Sequence, residues 1–227
     1  MPRDFQAPFT LPAGASELVC VRHGSSAEAD GLVDGHSDPA LSARGQAQAE
    51  AVAARLGALD AAGLFVTPLR RTAQTAAPLA RRLGLEPTVV RDLREVHLGA
   101  WEGQFSARMR DRDPISDEIL AAGRWDVIPD AEDMDEFGAR VRSGIEGIAA
   151  TVGPDRTAIA VMHGGVIAEA CRQATGSLPF AFLYAENASV SRLLRLASGR
   201  WALRSFNDIS HLEALGAPTH DLHDHPL

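Results

Sequence analysis

Apolar positions along this chain fall into short continuous runs that alternate with longer segments of helical period. Residues 17–21 read as a buried strand, residues 40–56 as an alanine-rich helix, and residues 64–66 as a second strand ending at Thr67-Pro68. Threonine as N-cap followed by proline at the first helical position predicts a helix start there. That helix runs to about Leu83, with Thr72, Ala76, Leu79 and Leu83 at helical spacing. Residues 88–90 are a third strand candidate, and the polar residues 104–135 predict short helical pieces at best. A long helix is expected from about residue 134 to 151, its acidic first turn matched to the helix dipole. Residues 157–165, TAIAVMHGG, repeat the opening order of strand, histidine and glycine before a helix to about residue 175. Residues 189–196 and 200–207 alternate and predict paired strands.

Strands alternating with helices predict an α/β protein, a three-layer α/β/α sandwich around a mostly parallel central sheet. Residues 1–16 read as an N-terminal extension and 17–212 as a single domain, with residues 104–135 as its lid segment. The polar, proline-bracketed residues 213–227 are expected to be a flexible tail, so the tail histidines His220, His223 and His225 are not read as a metal site. At 227 residues the chain can bury a full core without a disulfide or metal. Cys20 and Cys171 lie in apolar contexts and read as free buried thiols.

The formal charge of −8 argues against a nucleic-acid partner, which needs a basic patch. No apolar run approaches the ~18 residues of a membrane span. The N-terminus does not read as a secretory signal, so a cytoplasmic location is expected. Every basic residue is arginine, which removes P-loop and Schiff-base lysine chemistry. No cofactor or metal is called for, and the oligomeric state is left open.

Chemistry concentrates where strands end. Two strands close in His-Gly, at Val21-Arg22-His23-Gly24 and Met162-His163-Gly164-Gly165. Ligands of open α/β sheets bind beyond the carboxyl ends of the strands, and a helix start after His163 favours an anion. TPLRRTAQT places Arg71 in a helix that begins at another strand end, and LREVHLGAWEG offers Glu95 in a loop. Each has a plainer reading: core histidines satisfied by backbone, an arginine pair on a solvated helix face, a loop carboxylate beside Arg94. Trp101 and Trp125 read as packing residues, and His97 and His211 are assigned no chemistry.

Together, VRHG, TPLRRTAQTA, LREVHLGAWEG and VMHGG, with DPALSARGQAQA, NASVSRL and NDISHL, resemble the histidine phosphatase superfamily in its phosphoglycerate mutase-like branch. The match runs in order over roughly residues 17–212. The resemblance implies the phosphoglycerate mutase-like fold and a phosphohistidine mechanism that needs no metal. His23 would be the nucleophile, and Glu95 would protonate the leaving alcohol. Arg22, Arg71 and His163 would grip the phosphoryl oxygens, with Gly164 and Ser26 among the substrate contacts. A metaphosphate-like transition state is stabilised mainly by positioning and charge, to which guanidinium forks are suited.

The implied activity is hydrolysis of small phosphomonoesters, with a small phosphorylated metabolite as partner. Cofactor-dependent mutases of the family carry a longer, basic and tyrosine-containing insertion between the glutamate and the second histidine. Residues 96–162 here are shorter, acidic and free of tyrosine, so a mutase stands second. A phosphate-binding module without turnover stands third, kept open by Ser25, Ser26 and Ala29, which depart from the family pattern after RHG. Ala131-Glu132-Asp133 replaces a common Gly-Glu-Ser, and its extra carboxylate is expected to disfavour polyanionic substrates.

Overall fold

The computed structural model describes residues 9–27, 32–33 and 36–216. Ala29 and the tail histidines His220, His223 and His225 lie outside the described residues. Six strands form the central sheet: β1 (Ser16–Arg22), β4 (Ala61–Val66), β5 (Thr88–Val89), β6 (Thr157–Met162), β7 (Val190–Arg195) and β8 (Trp201–Asp208). A separate ribbon pairs β2 (Leu32–Val33) with β3 (His36–Ser37). The sheet order is β5-β4-β6-β1-β7-β8. The first four strands in that order are parallel, and β7 and β8 add an antiparallel edge.

Apolar runs rather than alternation mark β1 and β6 because both faces of each are covered. On one face, Val19, Val21, Ile159 and Val161 pack with Val52, Leu56 and Leu79 of α1 (Ala43–Leu56) and α2 (Arg70–Leu83). On the other, Leu18, Cys20, Ala160 and Met162 meet Val141, Ile145 and Ile167. Those three belong to α5 (Met134–Val152) and α6 (Gly164–Thr175). The result is the expected three-layer α/β/α sandwich. Both cysteines are free and buried, and burial pushes the Cys171 thiol up to about 12. Among the described residues no helix is long and apolar enough to cross a membrane.

Two helix starts differ from expectation. Helix α1 begins at Ala43, because Ser42 caps it through the Gly45 amide at 3.1 Å while the Ala40 carbonyl is taken by Ala27 N–H at 2.9 Å. Helix α2 begins at Arg70 with Leu69 at the N-cap and no side-chain cap. The Thr67 hydroxyl accepts the Leu69 amide at 3.3 Å and also lies 3.0 Å from Thr72 Oγ1 and 2.9 Å from His163 Nε2. A distant partner is thus added to the local bond there.

Residues 104–135 hold α3 (Phe105–Arg110) and α4 (Pro114–Ala122), the latter capped by Asp113. Met109, Ile119, Trp125 and Ile128 from this segment join the main core. Trp101, Phe105, Trp125 and Phe180 form a chain of ring contacts with centroids 6.2, 5.4 and 4.5 Å apart. Both tryptophans are buried packing residues, as expected.

Candidate active site

Sheet order assembles the site. Strands β4, β6 and β1 are neighbours and parallel, with Val66 opposite Val161 and Arg22 opposite Met162. All three therefore end at one edge, and the next residues, Thr67, His163 and His23, converge there. The His23 amide donates to the Met162 carbonyl at 2.9 Å, and the two imidazole centroids lie 5.2 Å apart.

The turn after β1 is held against α1. A Cβ on Gly24 would stand 2.6 Å from the Gly45 carbonyl oxygen, and one on Gly45 would stand 2.0 Å from that of Ser25. Only glycine at both positions permits this approach. Gln48 Oε1 accepts from the Ser25 amide at 2.8 Å, and Asn187 Nδ2 donates to the His23 carbonyl at 3.0 Å.

The tautomer of His23 follows from its neighbours. Nδ1 is 2.8 Å from the Gly24 carbonyl, an acceptor only, so Nδ1 carries the proton. Nε2 accepts from Arg71 Nε at 3.3 Å, so Nε2 holds the lone pair. Arg71 also donates through Nη1 to the Ser37 carbonyl at 2.7 Å, and Glu102 fixes Ser37 by accepting its amide at 2.7 Å. Arg22 donates through Nη1 to the Ala185 carbonyl. Its Nε is buried without a partner among the described residues, as is His163 Nδ1.

Glu95 lies at the N-terminus of α6. Its Oε2 accepts from the Gly165 amide at 3.2 Å and its Oε1 from the Val96 amide at 3.0 Å. A Cβ on Gly165 would meet Oε1 at 2.7 Å, and one on Gly164 would touch Arg22 Nε at 3.4 Å. Ser26 lies exposed at the end of the turn, its backbone bridged to Leu41. Five predicted residues thus converge: Arg22, His23, Arg71, Glu95 and His163.

Burial, then the Arg71 and Arg22 charges, push the His23 imidazole well below its ordinary value near 6.5. His163 moves the same way, through burial first and then the Arg71, His23 and Arg22 charges. Burial also lowers both guanidiniums, opposed by carboxylates of which Glu95 is the largest contributor to each. Below about pH 6.5 the unfolded chain binds a proton at each histidine that the folded chain refuses. Stability therefore falls as pH falls, by up to roughly 1.4 kcal/mol per pH unit for each of the two imidazoles. Chemical denaturation between pH 7 and pH 5 is expected to show this loss, and the His23→Asn, His163→Asn double variant is expected to reduce it, leaving the part due to His211, which burial also lowers.

Sequence reasoning missed Thr67, Glu102, Asn187 and Arg140, which act here through bonds to backbone or to another side chain. Only topology brings their partners within reach. The carboxylates of Glu132 and Asp133 are both engaged: Glu132 pairs with Arg140 at 2.5 Å, and Asp133 caps α5 through the amides of Asp135 and Glu136. His97 packs on His36 with centroids 5.1 Å apart, and His211 lies 3.0 Å from the Ala188 carbonyl. Among the described residues no group of three or more histidine, cysteine, aspartate or glutamate side chains is placed to hold a metal ion.

The sequence pattern of the histidine phosphatase superfamily (branch 1) matches residues 18–209. Phosphoglycerate mutase-like protein 4 of Arabidopsis thaliana is 32% identical over 207 residues, covering 88% of this chain and 89% of that protein. The metal-independent phosphoserine phosphatase of the same plant is 30% identical over 206 residues, covering 88% of this chain and 85% of its own. Among solved structures, a mycobacterial glucosyl-3-phosphoglycerate phosphatase is 29% identical with a TM-score of 0.69, covering 84% of this chain and 98% of that one.

Proposed function

The chain belongs to the histidine phosphatase superfamily, and we propose that it hydrolyses small phosphomonoesters through a phosphohistidine formed on Nε2 of His23. Family membership supports a metal-independent hydrolase of small phosphate esters. The observation that carries the specific reading is the pair of buried nitrogens without a partner among the described residues, Arg22 Nε and His163 Nδ1, beside a neutral imidazole with its lone pair on Nε2. Buried donors without acceptors are costly, and phosphoryl oxygens would satisfy them.

In this reading the phosphoryl group enters between Arg71 and His23. The guanidinium transfers its Nε–H from His23 to a phosphoryl oxygen and so releases the attacking lone pair. His23 Nε2 bonds to phosphorus as the ester P–O bond breaks, and the departing oxygen takes the proton of the Glu95 carboxyl. Water then attacks the phosphohistidine, giving its proton to the Glu95 carboxylate, and the N–P bond electrons return to His23. The Thr67 hydroxyl, donating to His163 Nε2, would keep a proton on Nδ1 for the phosphate. Arg22 and Arg71 supply fixed positive charge to the equatorial oxygens throughout.

The names of the relatives divide between phosphatase and mutase, and the short acidic residues 96–162 favour hydrolysis. A panel of phosphomonoesters assayed with and without EDTA is expected to show phosphate release that the chelator does not diminish. Phosphoglycerate isomerisation stimulated by a bisphosphate, in place of hydrolysis, would overturn the phosphatase in favour of a mutase. Phosphate binding without turnover of any ester would leave a binding module.

A further inference from the structure

One side chain from another element makes three of the bonds that hold the loop carrying Glu95. Arg140, in the second turn of α5, donates through Nη1 to the carbonyls of Asp92 and Arg94, at 2.8 and 2.7 Å. Through Nη2 it donates to the carbonyl of Glu95 itself, at 3.0 Å. His36 Nε2 reaches the same Glu95 carbonyl at 3.2 Å, so that peptide is pinned from two sides.

Glu132 aims the guanidinium. Its Oε1 accepts from Arg140 Nε at 2.5 Å and its Oε2 from Nη2 at 2.7 Å, a two-point fork that fixes the plane. Glu132 also closes the loop's far end, accepting the His97 amide at Oε2 (3.2 Å) and giving its own amide to the His97 carbonyl (2.9 Å). Next to the loop, Gly144 lets Leu93 lie on α5, since a Cβ there would stand 2.6 Å from Leu93 Cδ2. The Arg140 and Glu132 side chains are only 14% and 16% exposed, so water competes little for these bonds.

From this geometry we propose that Arg140, oriented by Glu132, is the positioning residue for Glu95. It sets where the carboxyl stands relative to the leaving oxygen without touching substrate. The inference rests on the reading of Glu95 as the acid. A misplacement of about 1 Å in a catalytic group can cost ~100-fold. An arginine whose five N–H groups serve three carbonyls and a carboxylate has no equivalent among other side chains.

The test compares kcat/KM, which covers steps up to alcohol release, for an alkyl phosphate and for nitrophenyl phosphate. Nitrophenolate leaves with little need of a proton, so only a fault in acid delivery separates the two substrates. Glu95→Gln serves as the reference and is expected to lower the alkyl-to-nitrophenyl ratio by about 100-fold or more. Arg140→Gln is expected to lower the same ratio by about 10- to 100-fold, with partial recovery in Arg140→Lys. In the Glu95→Gln background the Arg140 change should add almost no further drop in the ratio, because it acts through Glu95.

Equal slowing of both substrates by Arg140→Gln, with Glu95→Gln still selective, would reduce Arg140 to a stability role and overturn the inference. Equal slowing by Glu95→Gln itself would instead remove Glu95 as the acid. Should Arg140→Gln fail to fold, Arg140→Lys and Glu132→Gln carry the same comparison: a selective drop in the ratio upholds the proposal and a uniform one rejects it.

Discussion

His23→Ala is expected to abolish turnover, by on the order of 10⁴-fold or more, together with any acid-labile phosphoenzyme. The proposed site offers no second nucleophile. His163 is the nearest candidate, yet it is fully buried and its Nε2 is engaged by Thr67. Among the described residues the side chain of His23 bonds to Gly24 and Arg71 and lies against the His163 ring, contacts whose loss should leave the fold intact. Folding is checked by thermal unfolding beside the wild type, and the phosphoenzyme by acid quench after brief exposure to labelled substrate. Residual turnover within about 100-fold of wild type, or a surviving acid-labile phosphoenzyme, would move the nucleophile elsewhere.

Arg71→Gln should cost about 10²- to 10³-fold in kcat/KM, the scale of losing one preorganised donor to transition-state charge. The loss has a second signature. After burial, the Arg71 charge is the largest influence holding His23 below its ordinary value. Without it the imidazole gains protons more readily, so the acid limb of the pH–rate profile should move to higher pH. The sign is fixed because attack requires neutral His23, and a raised value means neutrality is lost at a higher pH. Inorganic phosphate should also inhibit the variant more weakly. Lysine at this position should restore little, since one ammonium cannot reproduce a fork spanning His23 Nε2 and the Ser37 carbonyl. An unmoved acid limb with activity within about threefold of wild type would remove Arg71 from the phosphoryl site.

Both predictions concern residues that stand out along the chain. Arg22 and His23 end an apolar run, His163 ends another, and Arg71 sits just beyond a third. A candidate site at such termini was legible because apolar runs mark buried strands, and charged groups at their ends need a reason to be there. The departures after RHG were equally visible, though Ser26 lies exposed at the turn and Ala29 falls outside the described residues.

Other parts were not legible. Thr67 carries a strong local capping signal, but that signal says nothing of His163, which a neighbouring strand delivers to the same hydroxyl from 96 residues away. Little around Arg140 marks it, because three of its partners are backbone carbonyls more than forty residues earlier. Residues 104–135 looked merely polar, but Met109, Ile119, Trp125 and Ile128 are folded into the main core.

The chain by itself determined most of its strands and helices, the candidate groups at their ends, and the family they resemble. These depend on local apolar period and on residue type, which adjacent residues carry. Tertiary structure alone decided the order β4-β6-β1, the tautomer of His23, and the clamp on the Glu95 loop. Each of those depends on pairing between distant segments, where hydrogen-bond satisfaction in a buried sheet edge outweighs any local preference.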